Sequence, residues 1–144
     1  MRAAILLMAV ALVTACSDPA SPEARLRGTI DAMEEAGEAG NRADFMEFVA
    51  DDFGGPSAAI DRKGLSDMFR MQILVHTRVS AVLSNMDLQV YGDRATATFH
   101  ALLTGGPRAW LPETGRIYRI ETGWRLDGSD WELISADWKP LGSS

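Results

Sequence analysis

The sequence predicts an α+β fold, with helices first and antiparallel strands after them. Three observations carry this expectation. Apolar residues recur at helical spacing as far as about residue 73. From Thr77 the period changes to strand-like alternation. Two short turn signals, Gly92-Asp93 and Asp127-Gly128-Ser129-Asp130, then divide the alternating part into hairpins.

Ser21-Pro22-Glu23 reads as a helix start. The serine caps free amides, the proline suits the first helical position, and the glutamate faces the positive end of the dipole. Leu26, Ile30 and Met33 follow on one face, with Arg25, Arg27, Asp31, Glu34, Glu35 and Glu38 on the other. Gly40-Asn41 is a stop. A short second helix is expected to bury Phe45, Phe48 and Val49, and Phe53-Gly54-Gly55-Pro56 should break it. A third begins near Asp61 and carries Leu65, Met68, Phe69, Gln72 and Ile73 in one stripe.

The two-residue loop Gly92-Asp93 pairs Tyr91 with Arg94, then Val90 with Ala95, Leu88 with Ala97, Met86 with Phe99, Ser84 with Ala101 and Val82 with Leu103. The opposite face holds Asp87, Gln89, Tyr91, Arg94, Thr96, Thr98 and His100. The second hairpin pairs Leu126 with Trp131, Arg125 with Glu132 and Trp124 with Leu133. Farther out, Ile134, Ala136 and Trp138 have the wrong parity, so a bulge at Gly123 is expected to reset the alternation. Arg119 is placed opposite Trp138 as a stacked cation–π pair.

The chain has 144 residues, a net charge of −6 and a single cysteine, Cys16. Arg2 precedes a 13-residue apolar run, Ala3 to Ala15, which is short of the ~20 residues a spanning helix needs. Val13-Thr14-Ala15-Cys16 resembles the lipobox of bacterial lipoproteins. The resemblance implies a signal peptide over 1–15, acylation of Cys16 with fatty-acyl chains such as palmitate, and a tether over 16–21. Several acyl chains hold a protein stably on a bilayer, where one holds it marginally. Ser17 after the cysteine favours the outer membrane over the inner, with the domain facing the periplasm. Removing residues 1–15 leaves 129 residues, enough for one domain with a real core, over 22–140, and a tail over 141–144. The acidic balance and the lack of a Lys/Arg cluster argue against nucleic acid and against a polybasic grip on lipid.

Glu38-Ala39-Gly40-Asn41-Arg42-Ala43-Asp44-Phe45, leading to Val49-Ala50-Asp51-Asp52-Phe53, resembles the helix pair of the nuclear transport factor 2-like (NTF2-like, SnoaL-like) superfamily. The stretch Asp130-Trp131-Glu132-Leu133-Ile134-Ser135-Ala136-Asp137-Trp138 resembles its last strand. The resemblance implies a cone: N-terminal helices packed on a strongly curved antiparallel sheet, with an apolar cavity open at one end. Relatives include isomerases, dehydratases, transport factors and binding modules, and are often homodimers, so a homodimer is one expectation here. Fold alone does not fix function.

Aligned on Gly40, Met33 stands where isomerase relatives carry a tyrosine donor, and Ser57 about where they carry an aspartate base. Neither supplies that chemistry. Dehydratase relatives use a cavity histidine with an aspartate. The candidates here are His100 and Asp87, although the register puts both on the polar face. His76 near a helix end reads as a capping or surface residue. Asp51-Asp52 read as satisfying backbone groups at a helix end and turn, and no histidine at ligand spacing makes them a metal site. The expectation is a binding domain without catalysis, cofactor or metal, which takes a small apolar ligand or a protein partner. Met33, Phe69, Ile73, Leu88, Phe99, Tyr118 and Trp124 are the candidate cavity lining. Each is equally a core position, and which sheet face lines the cavity is open. The loop from Gly105 to Pro112 carries Trp110, the candidate partner contact of an adaptor.

Overall fold

The computed structural model describes residues 21–54, 60–74, 80–104 and 116–142, without the side chains of residues 72–74, 80, 103, 104 and 116. The elements run α1 (Pro22–Glu38), α2 (Arg42–Glu47), β1 (Val49–Gly54), α3 (Arg62–Leu74), β2 (Ser80–Tyr91), β3 (Arg94–Thr104), β4 (Arg116–Asp127) and β5 (Asp130–Pro140). The strands form one sheet in the order β1-β5-β4-β3-β2. Every pairing is antiparallel except β1 with β5. The predicted class holds, and the helix-then-sheet order holds apart from β1, which lies between α2 and α3.

Helix α1 starts where its sequence says. Ser21 Oγ accepts from the Ala24 amide at 3.1 Å, and Pro22 occupies the first turn. Gly40, at φ 71°, makes the left-handed turn that ends the segment, and Asn41 caps α2 by accepting from the Asp44 amide. Leu26, Ile30 and Met33 are buried against Ala95, Ala97, Phe99 and Trp124 of the sheet. Burial of a side chain such as Leu26, fully inaccessible here, is worth about 1.5–3 kcal/mol. The helix crosses the sheet obliquely. At its start, Trp131 Nε1 of β5 donates to the Pro22 carbonyl at 3.1 Å. At its end, Glu38 accepts from the Ala81 amide of β2 at 3.3 Å.

The stretch after α2 departs from expectation. Val49, Ala50 and Phe53 are buried, but they belong to a strand and not to a continuing helix. Beta strand β1 lies parallel to β5, and the Leu133 amide donates to the Phe48 carbonyl at 2.8 Å. Helix α3 begins at Arg62, as expected near Asp61, whose carboxylate accepts from the Gly64 amide at 2.7 Å.

Both hairpins turn as read. Gly92 and Gly128 take φ 61° at the first central position of their two-residue loops, the place for glycine in type II′ turns. The first hairpin keeps the expected register from Tyr91–Arg94 to Leu88–Ala97 and then slips. A bulge lies between Ser84 and Asp87, and beyond it Ser84 pairs with His100, Leu83 with Ala101 and Val82 with Leu102. Asn85 carries the kink at φ 52°, a conformation asparagine tolerates better than most residues. Leu83 therefore packs toward the core, and Val82, expected inside, is 59% exposed. The second hairpin bulges opposite Gly123, as expected: Gly123 pairs with Ser135 and Trp124 with Leu133, leaving Ile134 as the extra residue. A side chain at 123 would run into Ser135 Oγ. The reset pairs Ala136 with Thr122 and Trp138 with Ile120. Arg119 consequently faces Lys139, and its guanidinium bonds Glu121 at 3.1 Å, so the expected Arg119–Trp138 stack does not form.

Candidate functional site

The inner face of the sheet meets the helices through apolar side chains. Ala95, Ala97, Phe99, Trp124, Trp131 and Leu133 are buried there, with Leu83, Met86, Leu88, Val90, Ile120 and Leu126 packed against them. Thr122 is buried among them, and its hydroxyl is bonded on both sides. Trp124 Nε1 donates to Thr122 Oγ1 at 2.8 Å, and that hydroxyl donates to the Ala97 carbonyl at 2.9 Å.

The residues read as cavity lining are distributed through this packing. Met33, Phe99 and Trp124 sit within the core, and Leu88 packs against it. Tyr118 is also buried, 7% exposed. Phe69 is half-buried on α3, its ring 4.9 Å from that of Phe45. Ile73 lies in α3, with its side chain outside the described residues. Cys16, Ser57, His76 and Trp110 lie outside them as well.

The polar pair read from the hairpin lies on the outer face. His100 Nδ1 is 2.9 Å from Asn85 Nδ2, within hydrogen-bond distance. The bulge is what brings Asn85 to it. Asp87 pairs across to Thr98 and accepts from Gln89 at 3.4 Å, so the two candidates have separate partners. Asp51 and Asp52 lie in strand β1, and among the described residues their carboxylates meet arginine side chains. They project from β1 toward arginines, Asp51 at 3.8 Å from Arg62 and Asp52 in a two-pronged bond with Arg125 at 2.8 Å on each oxygen. Arg125 also holds Glu132 at 3.1 Å, so one guanidinium ties β1, β5 and β4 together. The bond to Arg125 holds the Asp52 carboxyl below its ordinary range. Among the described residues, no three His, Cys, Asp or Glu side chains gather where they could hold a metal ion. Nor is any described helix long and apolar enough to cross a membrane.

A concave site does open elsewhere, where sequence reasoning did not place one. A groove of about 540 Å³ runs between α1 and the edge strand β2. Arg27, Asp31 and Glu34 form its helical wall, at spacings of four and three residues on one face. Residues Ala81 to Met86, including the bulge, form the other wall. Arg27 Nη1 rests 3.4 Å from Met86 Sδ. Burial raises the Glu34 carboxyl above its ordinary range, and Glu38 and Asp31 push the same way. The signal was present as the acidic face of α1, but its place beside an open sheet edge depends on the topology.

No protein-family model matches the chain, and no curated protein does. Solved structures do. An NTF2-like protein from Cytophaga hutchinsonii superposes with a TM-score of 0.68 at 13% identity, over 81% of this chain and 95% of that one. An NTF2-like protein of unknown function from Pseudomonas putida gives 0.66 at 20% identity, over 81% and 84%. A Bdellovibrio bacteriovorus protein gives 0.69 at 12% identity over 81% of this chain, which spans 40% of that longer one. The chain has the NTF2-like fold.

Proposed function

We infer that this chain is a lipid-anchored protein of the bacterial envelope, facing the periplasm, whose NTF2-like domain acts by binding and not by catalysis. One observation carries the binding reading. The described side chains that meet between sheet and helices are apolar apart from Thr122 and Tyr118, and Thr122 is spent on Ala97 and Trp124. A dehydratase or isomerase needs a base inside the cone. His100 and Asp87 stand on the outer face, bonded to neighbours there. The anchor rests on Cys16 and the apolar run before it.

Of the two binding modes, a protein partner has the better support. The inner face is occupied by the protein's own side chains, whereas apolar groups stand exposed outside. Val82, Leu102 and Ile117 are cross-strand neighbours in one row, and Leu141 bonds to Ile117 beside them. Val82, Ile117 and Leu141 are 59, 43 and 42% exposed. A small apolar ligand in the cone is the second mode, and a homodimer through the outer face is one form of the first.

Two experiments test this. Growth with an alkyne fatty acid should label the chain, and Cys16→Ser should abolish the label and release the protein from the membrane fraction. Persistence of the label would remove the anchor from the reading. Native mass spectrometry of residues 17–144 gives the oligomer and any retained ligand. A turnover that His100→Ala abolishes without unfolding the protein would replace binding with catalysis.

A further inference from the structure

We propose that the groove between α1 and β2 is a strand-addition site that receives an extended basic segment of a partner protein. The proposal rests on the binding reading above and names the partner's chemistry.

The backbone supplies the first argument. Strand β2 ends the sheet, and among the described residues no strand pairs with its outer side. Main-chain groups on such an edge form a template for another chain. The Ala81 amide shows the direction: it points away from β3 to the carboxylate of Glu38 at 3.3 Å. An incoming strand would take over this edge between Ala81 and Asn85, about 13 Å of extended chain. The bulge at Asn85 limits its length, because it bends the strand and breaks the regular repeat of edge groups.

Helix α1 supplies the second argument. A helix lying alongside an open edge strand makes a groove in which main-chain bonds give affinity and the flanking walls give specificity, as in PDZ-type recognition. Here the groove is about 540 Å³, enough for the side chains of a few residues. Its apolar lining comes from Val82, Leu83 and the Met86 thioether.

Charge selects the occupant. The helical wall sets two carboxylates, Asp31 and Glu34, against one cation, Arg27, and Glu38 adds a third carboxylate at the Ala81 end. The β2 wall, Ala81 to Met86, has no ionisable side chain. The carboxylates therefore repel one another along the helical wall, and this repulsion adds to the burial that raises Glu34. A lysine or arginine of an extended segment relieves that repulsion, whereas an acidic segment adds to it. The preferred occupant alternates basic and apolar residues.

The test uses the full chain, purified in detergent and labelled with ¹⁵N. The probes are two capped heptapeptides, one alternating valine with lysine and the other valine with glutamate. The lysine peptide should shift the amides of Ala81 to Asn85 and slow hydrogen exchange there. The glutamate peptide should leave them unchanged. Asp31→Lys with Glu34→Lys changes exposed or half-buried helix positions only, and should weaken the lysine peptide roughly tenfold at low salt, with the difference fading as salt rises. Equal binding of both peptides, or shifts only outside residues 81–86, overturns the groove. A lipid extract that shifts Ala97, Phe99 and Trp124 while neither peptide binds also overturns it, but leaves the binding reading standing. His100-dependent turnover is the separate result that removes that reading.

Discussion

Thr122 and Trp124 offer a direct test of whether the inner face is a settled core. Thr122→Val is nearly isosteric, but it removes the acceptor of Trp124 Nε1 and the donor to the Ala97 carbonyl. Trp124 is 2% exposed, so its N–H has no water to turn to. Leaving it unpaired should cost about 1–3 kcal/mol. Trp124→Phe removes the N–H and some ring volume together, at about 1–3 kcal/mol, less than the ~3–5 kcal/mol of a full truncation. Combining them is the informative step. Once the indole is gone, the valine no longer orphans its N–H, so the double variant should be about 1 kcal/mol more stable than the sum of the singles predicts. Urea unfolding followed by circular dichroism reads this out. With a slope near 2 kcal/mol per molar, 2 kcal/mol moves the midpoint by about 1 M. Strict additivity, within about 0.3 kcal/mol, would mean that the indole is wet or bonded elsewhere, and that Trp124 borders a space and not a core.

Three further outcomes follow from the same geometry. Asn85→Val forces a β-branched residue to φ 52° and should cost about 1–2 kcal/mol, whereas Asn85→Gly should be close to neutral; equal melting temperatures would mean that the bulge lies elsewhere. Arg125 lowers the Asp52 carboxyl, so its contribution to stability is complete above the ordinary aspartate range and is lost as pH falls through the lowered value. Asp52→Asn should therefore flatten the acid limb of urea midpoints measured from pH 2 to 6. Glu34 is raised, so the folded state holds its proton more firmly than the unfolded chain does, and stability declines as pH rises between the ordinary and the raised values. Glu34→Gln should remove that decline, and a titration in which it persists would place the cause in another carboxyl.

The local signals were readable because they act through neighbours in the chain. Ser21 caps its own helix, Leu26, Ile30 and Met33 recur at one period, and Gly92 and Gly128 sit where only a glycine turns easily. Strand β1 was missed because Phe45, Phe48, Val49 and Phe53 keep helical spacing; what makes it a strand is its pairing with β5, some 80 residues later in the chain. The slip at Asn85 was hidden because Val82 and Leu83 are both apolar, so either register buries one of them. The left-handed preference of asparagine was the available clue. Gly123 was more legible, since the apolar parity of β5 changes beside it. Of the candidate site, the sequence located the polar outer face and its residues. The groove needed the topology, because Glu34 and Ala81 share no local pattern.

With Cys16 anchored as proposed, the bond from Trp131 to the Pro22 carbonyl would also set how the domain carries mechanical load. On the proposed anchor, Cys16 is five residues before Ser21, a leash of at most about 18 Å. Any pull from the bilayer enters at the first turn of α1, where the indole couples it to β5. Peeling that turn away would break the Trp131 bond and the Ser21 cap before the Leu26 packing is touched. The opposite end of α1, beside Ala81, would stay out of the line of force, so the groove would keep its shape under such a pull.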